Sequence, residues 1–519
     1  MKRILIYIAA IFGAINITSC SEDFLKLYPE TSITSGSFFT KQAHFEQVLV
    51  ASYERMRTIA LNGIIMDEMR SDNSHFTRYS GDRGPYLTTE VIDLFLDDET
   101  TGNWINNRYN ELYSGISRLN SIIDRIDAAN FADAQKNSIL SEAKFLRAFY
   151  FFDLVTHWGP VPLMIKEVTA AEEAFIGNST VEEIYVQILA DVTDAIDRGL
   201  PIASSFPQSG RATMGAAKML RAYANMSKPS RDYAAAERDL KDITNMNYEL
   251  ESNYANIFVI ANKNMRESIL EVQYRDGPGG QQNTIPWRMI PKCSNNLILM
   301  GFQSNNSAYT SGGWVVPTQE LIDSYEPGDL RLSASIAVAQ GTGAEVIAVN
   351  ATEPVLDIVG FEPQEGVDYH YFCRKYYHPP YTYDLQASDN FPLYRYGDAL
   401  LLLAECLVEQ GKDGEAQPYL DQVRTRAGLG SVPATKQSVS DERRHELAFE
   451  NKRWTDLIRT GQAISVMTAF GNYWKSVDGV ILPTAYNVTQ ERLVYAFQIR
   501  ELRVNRNLKQ NPGYKGYYD

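Results

Sequence analysis

Aromatic and amide side chains are concentrated in the polar segment 281–317, which reads QQNTIPWRMIPKCSNNLILMGFQSNNSAYTSGGWVVP. Trp287, Tyr309 and Trp314 stand there among glycine, serine and asparagine, where they have less local core to fill than aromatics on helices. A sugar ring offers an apolar C–H face for stacking and a rim of hydroxyls for paired hydrogen bonds, and these residue types supply both. The segment therefore predicts a saccharide-binding loop, with Trp314 as the leading candidate. For each ring the alternative is packing beneath its own loop.

A second polar region supplies side chains of the same kinds. It comprises the segments RSDNSHFTRYSGDRGPY (70–86) and GNWINNRY (102–109). Carboxylate, amide and guanidinium groups are planar and can bond two neighbouring hydroxyls at once. The candidate ligand-binding residues of this region are Asp72, Asn73, Arg78, Arg83, Trp104 and Asn106.

The sequence contains only incomplete matches to catalytic motifs. The segment RRHELAFE (443–450) begins like a zinc-protease helix, but the fourth residue after His445 is a phenylalanine, so no metal-binding histidine pair is encoded. The string GPGG (277–280) lacks the lysine and the strand-to-helix context of a phosphate loop, and no GxSxG nucleophile elbow occurs. Acid pairs such as Asp97 and Asp98 could serve glycoside hydrolysis only at a set separation in space. We therefore expect a binding protein without catalytic residues, metal or cofactor, and the less favoured alternatives are a surface glycoside hydrolase and an adaptor that binds protein partners.

Cys20 is a candidate for covalent modification. Residues 1–19 begin with two basic residues, continue as an uncharged apolar run and end in small polar residues, which is the pattern of a secretory signal peptide. The apolar run is about a dozen residues long, whereas a membrane-spanning helix needs roughly 20. Residues 17–20, Ile-Thr-Ser-Cys, fit a bacterial lipobox, so cleavage would leave a lipidated cysteine as the membrane anchor. Ordinary secretion is the alternative. Glu22 and Asp23 resemble the surface-export signal of Bacteroidetes lipoproteins.

Charge and composition exclude other classes of protein. The chain has 519 residues, 44% of them hydrophobic, and a formal net charge of −15. Loss of residues 1–19 removes two positive charges and no negative charge, which changes the net charge from −15 to −17. Such an acidic chain does not suit nucleic acid, whose phosphates require a basic face. No low-complexity stretch or charge block divides the sequence, so one domain is expected.

The number and spacing of the cysteines predict neither a disulfide framework nor a metal site. After Cys20 only Cys293, Cys373 and Cys406 remain, an odd number without CxxC or Cys/His spacing. Neither a set of disulfides nor a zinc site is predicted, and a single bridge between Cys293 and Cys373 stays open.

Apolar residues recur at three- and four-residue spacing over most of the chain, which predicts helices. The candidate ligand-binding residues must therefore be held in place by a helical scaffold. The predicted helices are 41–61, 105–127, 136–157, 180–198, 211–226, 232–244, 397–410, 415–427 and 440–460. Between roughly 250 and 395, short β-like runs, glycine, proline and many aromatics predict a loop-rich insertion with short strands. The predicted fold class is therefore mainly α.

Two helical pairs repeat one spacing, which indicates a tetratricopeptide-like solenoid. The key small and apolar positions of the second pair are Leu400, Leu403, Ala404, Leu407, Gly411, Ala416, Leu420 and Val423. The same register recurs upstream at Leu220, Tyr223, Ala224, Ala236, Leu240 and Ile243, with Arg231 in place of the turn glycine. Repeats this far apart imply a solenoid interrupted by a large insertion. Generic helical hairpins are the alternative.

Six segments together resemble the signature of the SusD/RagB family. They are SEAKFLRAFYFFDLVTHWGPVPL, GRATMGAAKMLRAYA, VPTQELIDSYEPGDLR, FPLYRYGDALLLLAE, QVRTRAGL and ERRHELAFENKRWTDLIRTG. The resemblance runs from Cys20 to the final ELRVNRNLKQNPGY. One departure is YAFQIRE, which has Phe497 and Gln498 where the family commonly shows a proline-containing segment.

The resemblance implies a noncatalytic lipoprotein of the outer-membrane cell surface that captures nutrients, usually glycans. The partner it implies is a TonB-dependent, SusC-like β-barrel transporter, which this chain would cover as a hinged lid. It also implies that the two polar regions converge on the ligand face, and it leaves peptide capture open. The expected organisation is a signal peptide at 1–19 and a single SusD-like domain at 20–519. Within that domain, helical repeats occupy about 41–250 and 395–460, and the ligand-binding insertion occupies about 250–395.

The charged residues of the signature segments are interpreted as scaffold rather than ligand contacts, because they lie on or beside helices at positions suited to buried ion pairs. They are Glu142, Arg147, Asp153, Arg395, Asp398, Glu405, Arg424, Glu446 and Arg453.

Overall fold

Helices form most of the molecule, and the strands are short, which confirms the predicted mainly α fold class. The computed structural model describes residues 38–76, 87–291, 296–301, 312–341, 351–381 and 386–517. The first part of the chain forms helices connected by short loops. These are α1 (Gln42–Tyr53), α2 (Arg55–Gly63), α3 (Leu87–Asp93), α4 (Trp104–Arg125), α5 (Asp133–Trp158), α6 (Val181–Asp197), α7 (Met214–Ser227) and α8 (Tyr233–Thr244).

Amphipathic spacing explains how these helices pack. In α4, Leu112, Ile116 and Leu119 lie on one buried face, and α4 packs against α1, α2 and α5. The start of α6 is fixed by a capping box, in which Thr180 Oγ1 accepts the N–H of Glu183 and the Glu183 carboxylate accepts the N–H of Thr180.

The tetratricopeptide-like pairs form as predicted. Helix α7 packs on α8, and α13 (Tyr396–Glu409) packs on α14 (Asp413–Arg426). Gly411 turns the chain between the latter two with φ +71°, a conformation that costs glycine little. Helix α8 contacts α13, so the two pairs stack although more than a hundred residues separate them in sequence.

Short elements fill the segment between the two pairs. Its helices are α9 (Ile285–Met289), α10 (Asn296–Met300), α11 (Gln319–Ser324) and α12 (Arg331–Ser335). One strand, β1 (Ser74–His75), lies earlier, in the polar segment 70–86, and the strands of the segment itself are β2 (Ser268–Val272), β3 (Val316–Pro317), β4 (Ile336–Gly341), β5 (Ala351–Val355), β6 (Asp368–Cys373) and β7 (Phe391–Arg395).

Antiparallel pairing of these strands organises the segment. Strand β2 pairs with β7, so the segment leaves and re-enters the helical scaffold at one place. Strand β4 lies between β5 and β6 in a three-stranded sheet. Strand β1 pairs with β3, with Ser74 opposite Pro317 and His75 opposite Val316. This last pair joins the two polar regions singled out in the sequence.

Buried ion pairs tie the insertion to the repeats, as predicted for the charged signature residues. The Arg395 guanidinium, 1% exposed, contacts the carboxylates of Glu267, Glu446 and Glu450 at 2.6–2.9 Å. Further buried pairs are Arg147 with Asp191, Asp153 with Arg108, Asp398 with Arg443, Glu405 with Arg459, and Arg424 with Glu442, while Glu142 and Arg424 also contact the more exposed Arg211 and Glu326. Removing one partner of such a pair leaves an uncompensated buried charge, so these residues specify the fold.

The single helix predicted over 440–460 is wrong. The chain forms α15 (Lys436–Glu446) and α16 (Arg453–Arg459), with Phe449 and Asn451 at positive φ between them. The cause is Glu68, whose buried carboxylate accepts the backbone N–H groups of both residues at 2.9 and 3.0 Å. Burial raises the pKa of Glu68 to about 7. The chain ends with α17 (Ala463–Val477) and α18 (Ile499–Val504).

Candidate functional site

Two indole rings from the separate polar regions meet at one point. Trp314 lies two residues before β3, and Trp104 is the first residue of α4. Their ring centroids are 5.6 Å apart at an interplanar angle of 84°, and Phe76 lies 6.3 Å from Trp314. The pairing of β1 with β3, and the bond from the Thr318 N–H to the carbonyl of Asn73, hold the two loops together. Trp104 is oriented by its Nε1–H, which donates to Thr89 Oγ1 at 2.9 Å.

A guanidinium group completes this cluster. The Arg288 Cζ lies 5.3 Å from the ring centroid of Trp314 and 5.9 Å from that of Trp104. Its Nη1 donates to the carbonyl of Thr284 at 2.8 Å, one turn earlier. Burial lowers the pKa of Arg288 to about 10, so the side chain remains charged at neutral pH. We call Trp104, Arg288 and Trp314 the aromatic site.

Both indoles of the aromatic site retain some exposure, and their polar atoms differ. Both rings are only partly buried, at the margin of the main hydrophobic core. The Nε1–H of Trp314, unlike that of Trp104, is buried and has no hydrogen-bond partner among the residues that the structure describes. A ring that contacts the core on one side and retains exposed surface can receive a ligand without repacking the fold.

Asn107 is a site candidate that the sequence reasoning missed. It is exposed and lies three residues after Trp104 in α4, on the same helical face. The predicted Asn106 is partly buried, and its Oδ1 accepts a hydrogen bond from Asn110 at 3.1 Å within the helix. The three-residue helical spacing from Trp104 is the signal that could have identified Asn107.

Asp72 and Asn73 do not face a ligand, which corrects the prediction for both. They are 5% and 0% exposed. Asp72 Oδ1 accepts from Arg453 Nε at 2.7 Å, and Asn73 Oδ1 accepts from Arg444 Nε at 2.9 Å. Although burial opposes ionisation, the guanidinium groups of Arg444 and Arg453 lower the pKa of Asp72. Carboxylate and amide groups bond guanidinium groups as well as they bond sugar hydroxyls. In this fold, the side chains of Asp72 and Asn73 are bonded to arginines.

Trp287 is also wrongly predicted as a ligand contact. The ring is 1% exposed and packs against Tyr381, with centroids 5.1 Å apart, in a small core that also contains Phe372. Trp287 belongs to α9, a short helix whose other face is turned toward the site through Arg288. The remaining predicted residues, Tyr309, Arg78 and Arg83, and the lipidation candidate Cys20, lie outside the described residues.

A cavity adjoins the aromatic site. Its volume is about 390 Å³, and its aromatic lining includes Phe76, Tyr369, Tyr371 and Trp474. Tyr369 is 37% exposed, and the Tyr371 hydroxyl donates to Gln319 at 2.9 Å. Phe76 both lines this cavity and contacts Trp314, so aromatic surface continues from the site into the cavity.

A second cavity, of about 330 Å³, lies between scaffold helices. We call it the scaffold cavity; Phe152, Tyr223, Tyr394 and Lys452 line part of it. Its charged groups are largely bonded to one another: Arg108 contacts Asp67 and Asp153, and His157 contacts Asp67. Such mutually satisfied groups have little capacity left for ligand hydroxyls.

Over the part of the chain that the structure describes, no group of three or more His, Cys, Asp or Glu residues could hold a metal ion. Within the same residues, no helix has the length and apolar character required to cross a membrane. Cys373 and Cys406 are buried free thiols, and Cys293 falls in the segment 292–295, outside the described residues.

Comparisons with known proteins cover almost the whole chain. Residues 361–514 match the model of the SusD family, and residues 23–227 match a model described as "Starch-binding associating with outer membrane". SusD-like protein P38 of Formosa agariphila is 26% identical, over 96% of each chain. The starch-binding protein SusD of Bacteroides thetaiotaomicron is 24% identical, again over 96% of each chain.

Among solved structures, a laminarin binding SusD-like protein superposes with a TM-score of 0.73 at 25% identity, over 91% of this chain and 99% of that one. The fold, the signature segments and both family models agree. The chain belongs to the SusD/RagB family.

Proposed function

We propose that this chain is a noncatalytic cell-surface lipoprotein that binds a nutrient oligosaccharide at the aromatic site and passes it to a TonB-dependent transporter. The observation that carries the binding step is the contact of Trp104 with Trp314 at the junction of two polar loops. Perpendicular, partly exposed indoles present apolar surface in two directions, which suits the C–H faces of adjoining sugar units. Asn107 supplies an amide beside them for the hydroxyl rim.

The relatives support the ligand class. One is named as starch-binding and another as laminarin binding, and one family model is described as starch-binding. Exposed amides and indoles could bind extended peptides as well, so the binding experiment must also include peptides.

The test is an incubation of the purified chain with immobilised and free oligosaccharides, including starch and laminarin fragments, and with peptides. We expect one glycan class to be retained and recovered at its original length. Release of shorter sugars would indicate a glycoside hydrolase, and retention of peptides alone would indicate a peptide-binding member of the family.

The anchor and the partner follow from the family rather than from the described residues. The proposal places a lipid on Cys20, so Cys20→Ser should move the protein from the membrane fraction to the soluble fraction. The Glu22→Ala/Asp23→Ala variant should stay lipidated but become inaccessible to protease added to intact cells. A SusC-like β-barrel should co-purify with the native lipoprotein, and Trp314→Ala should leave that association unchanged.

A further inference from the structure

Arg288, which is half-buried, differs in its partners from the fully buried arginines of the molecule. Arg70, Arg108, Arg331 and Arg395 each contact at least one carboxylate within 3 Å. Among the described residues, no carboxylate pairs with Arg288. Within the described residues, its buried Nε–H has no hydrogen-bond partner, and its one side-chain hydrogen bond is to the backbone carbonyl of Thr284. The described residues place no carboxylate beside this half-buried charge, so an anionic group of a ligand would offset the cost of removing the guanidinium from water.

The position of that charge is the second observation. The guanidinium lies against both indoles of the aromatic site, where the proposed ligand stacks. Cation–π contacts attract the guanidinium to the ring faces but do not satisfy its N–H donors. Burial lowers the pKa of Arg288, whereas the carboxylates of Glu450, Glu446 and Glu267 raise that of Arg395 in spite of its burial.

We propose that the ligand is an acidic glycan and that its anionic group, a carboxylate or a sulfate ester, binds Arg288 while an adjacent sugar ring stacks on Trp314 or Trp104. This inference rests on the proposed glycan-binding function and specifies its substrate class. A guanidinium bonds carboxylate and sulfate oxygens in a paired geometry, and bonds to a charged partner are stronger than those to neutral hydroxyls. The net charge of −15 disfavours polyanions elsewhere on the surface, so selectivity for an acidic sugar must come from a local cation.

The experiment measures Kd of the full chain in detergent for matched pairs of oligosaccharides. One pair is an oligogalacturonate and its methyl ester, which tests a carboxylate. The other is a sulfated galactan oligosaccharide and its desulfated form, which tests a sulfate. We expect one acidic member to bind roughly tenfold or more tightly than its neutral counterpart, since a charged hydrogen bond exceeds a neutral one in strength. That advantage should shrink as NaCl is raised.

Arg288→Gln should abolish the preference, so that the acidic and neutral members of the pair bind with equal affinity. Arg266→Gln is the matched control, because Arg266 also stacks on an aromatic ring, Phe206, but is exposed and paired with Glu249. It should keep the preference. Arg288→Gln should also leave the melting temperature unchanged or raise it, because it removes an unpaired charge, whereas a structural arginine would lower it.

The outcomes separate the two proposals. Equal affinity for charged and neutral members, with binding still lost in Trp314→Ala, overturns the acidic-ligand inference and leaves glycan binding intact. A marked fall in the melting temperature of Arg288→Gln with the preference retained also overturns it. Binding of no glycan in either pair or in the neutral panel overturns the glycan-binding function itself.

Discussion

The indole of Trp314 meets that of Trp104 edge to face, with ring centroids 5.6 Å apart and planes at 84°. One ring comes from the inserted segment and the other from the first residue of a scaffold helix, so the contact forms only when both parts are folded. A ligand that stacks here is therefore held between the loop and the scaffold, and each ring can be tested by substitution.

Replacing Trp314 with alanine should weaken glycan binding by about 1–3 kcal/mol, the range seen for loss of a stacked ring. Trp314→Phe should retain most of the affinity because it keeps an aromatic face. Isothermal titration with the retained glycan measures both variants.

The matched control for that experiment is Trp287→Ala. This ring is 1% exposed, so its removal should cost about 3–5 kcal/mol of unfolding free energy while folded molecules keep their affinity. A larger loss of stability for Trp314→Ala than for Trp287→Ala would mean that Trp314 is a core residue.

The amide of Asn107 should contribute directly to binding. Asn107→Ala is expected to lower glycan affinity by about 1 kcal/mol, the size of one ordinary hydrogen bond, without changing the melting temperature. Asn106→Ala is the neighbouring control and should leave affinity unchanged, because the Asn106 amide bonds within its own helix. Equal effects of the two substitutions would remove Asn107 from the site.

Asp72 should matter for stability and not for binding. Asp72→Asn breaks buried pairs with Arg444 and Arg453 and is expected to lower the free energy of unfolding by about 3–5 kcal/mol. Glu249→Gln removes one partner of an exposed pair and should cost less than about 1 kcal/mol. Denaturant unfolding measures stability, and titration of the folded fraction checks affinity. Loss of affinity in folded Asp72→Asn would restore Asp72 as a ligand contact.

His445 should make the fold sensitive to acid. Burial, followed by the charges of Arg331, Arg444, Arg453 and Arg424, lowers the pKa of His445 to about 3. Below pH 6.5 the unfolded chain takes up a proton on this residue that the folded chain does not, so stability falls as pH falls from about 6.5 toward 3. The loss from this residue should reach about 2 kcal/mol by pH 5.

His445→Gln keeps a hydrogen-bonding group opposite Ser324 Oγ, which lies 2.9 Å from His445 Nε2, and it cannot titrate. Its unfolding free energy should therefore decline less between pH 6.5 and pH 5 than that of the parent chain. Parallel declines would show that His445 is not the source.

The helical part of the fold was predictable because its cause is local. Apolar spacing predicted α4 to within a few residues, and the small residues of the repeats predicted which helices pair. The break between α15 and α16 was not predictable, because it depends on Glu68, nearly 400 residues earlier in the chain.

The sequence predicted which types of residue form the candidate site, but only some of the individual residues. Trp287 and Trp314 occupy similar polar sequence, and their different burial depends on where each loop packs in space. Arg288 carries no motif at all. It differs from the fully buried arginines because no carboxylate among the described residues pairs with it, and that depends on how the loops pack in space.

The structure of the complex with the retained glycan tests the central claim most directly. We expect a sugar ring against Trp104 or Trp314, with Asn107 bonded to a hydroxyl. A glycan bound in the scaffold cavity beside Tyr223 and Tyr394, with both indoles of the aromatic site uncontacted, would contradict it.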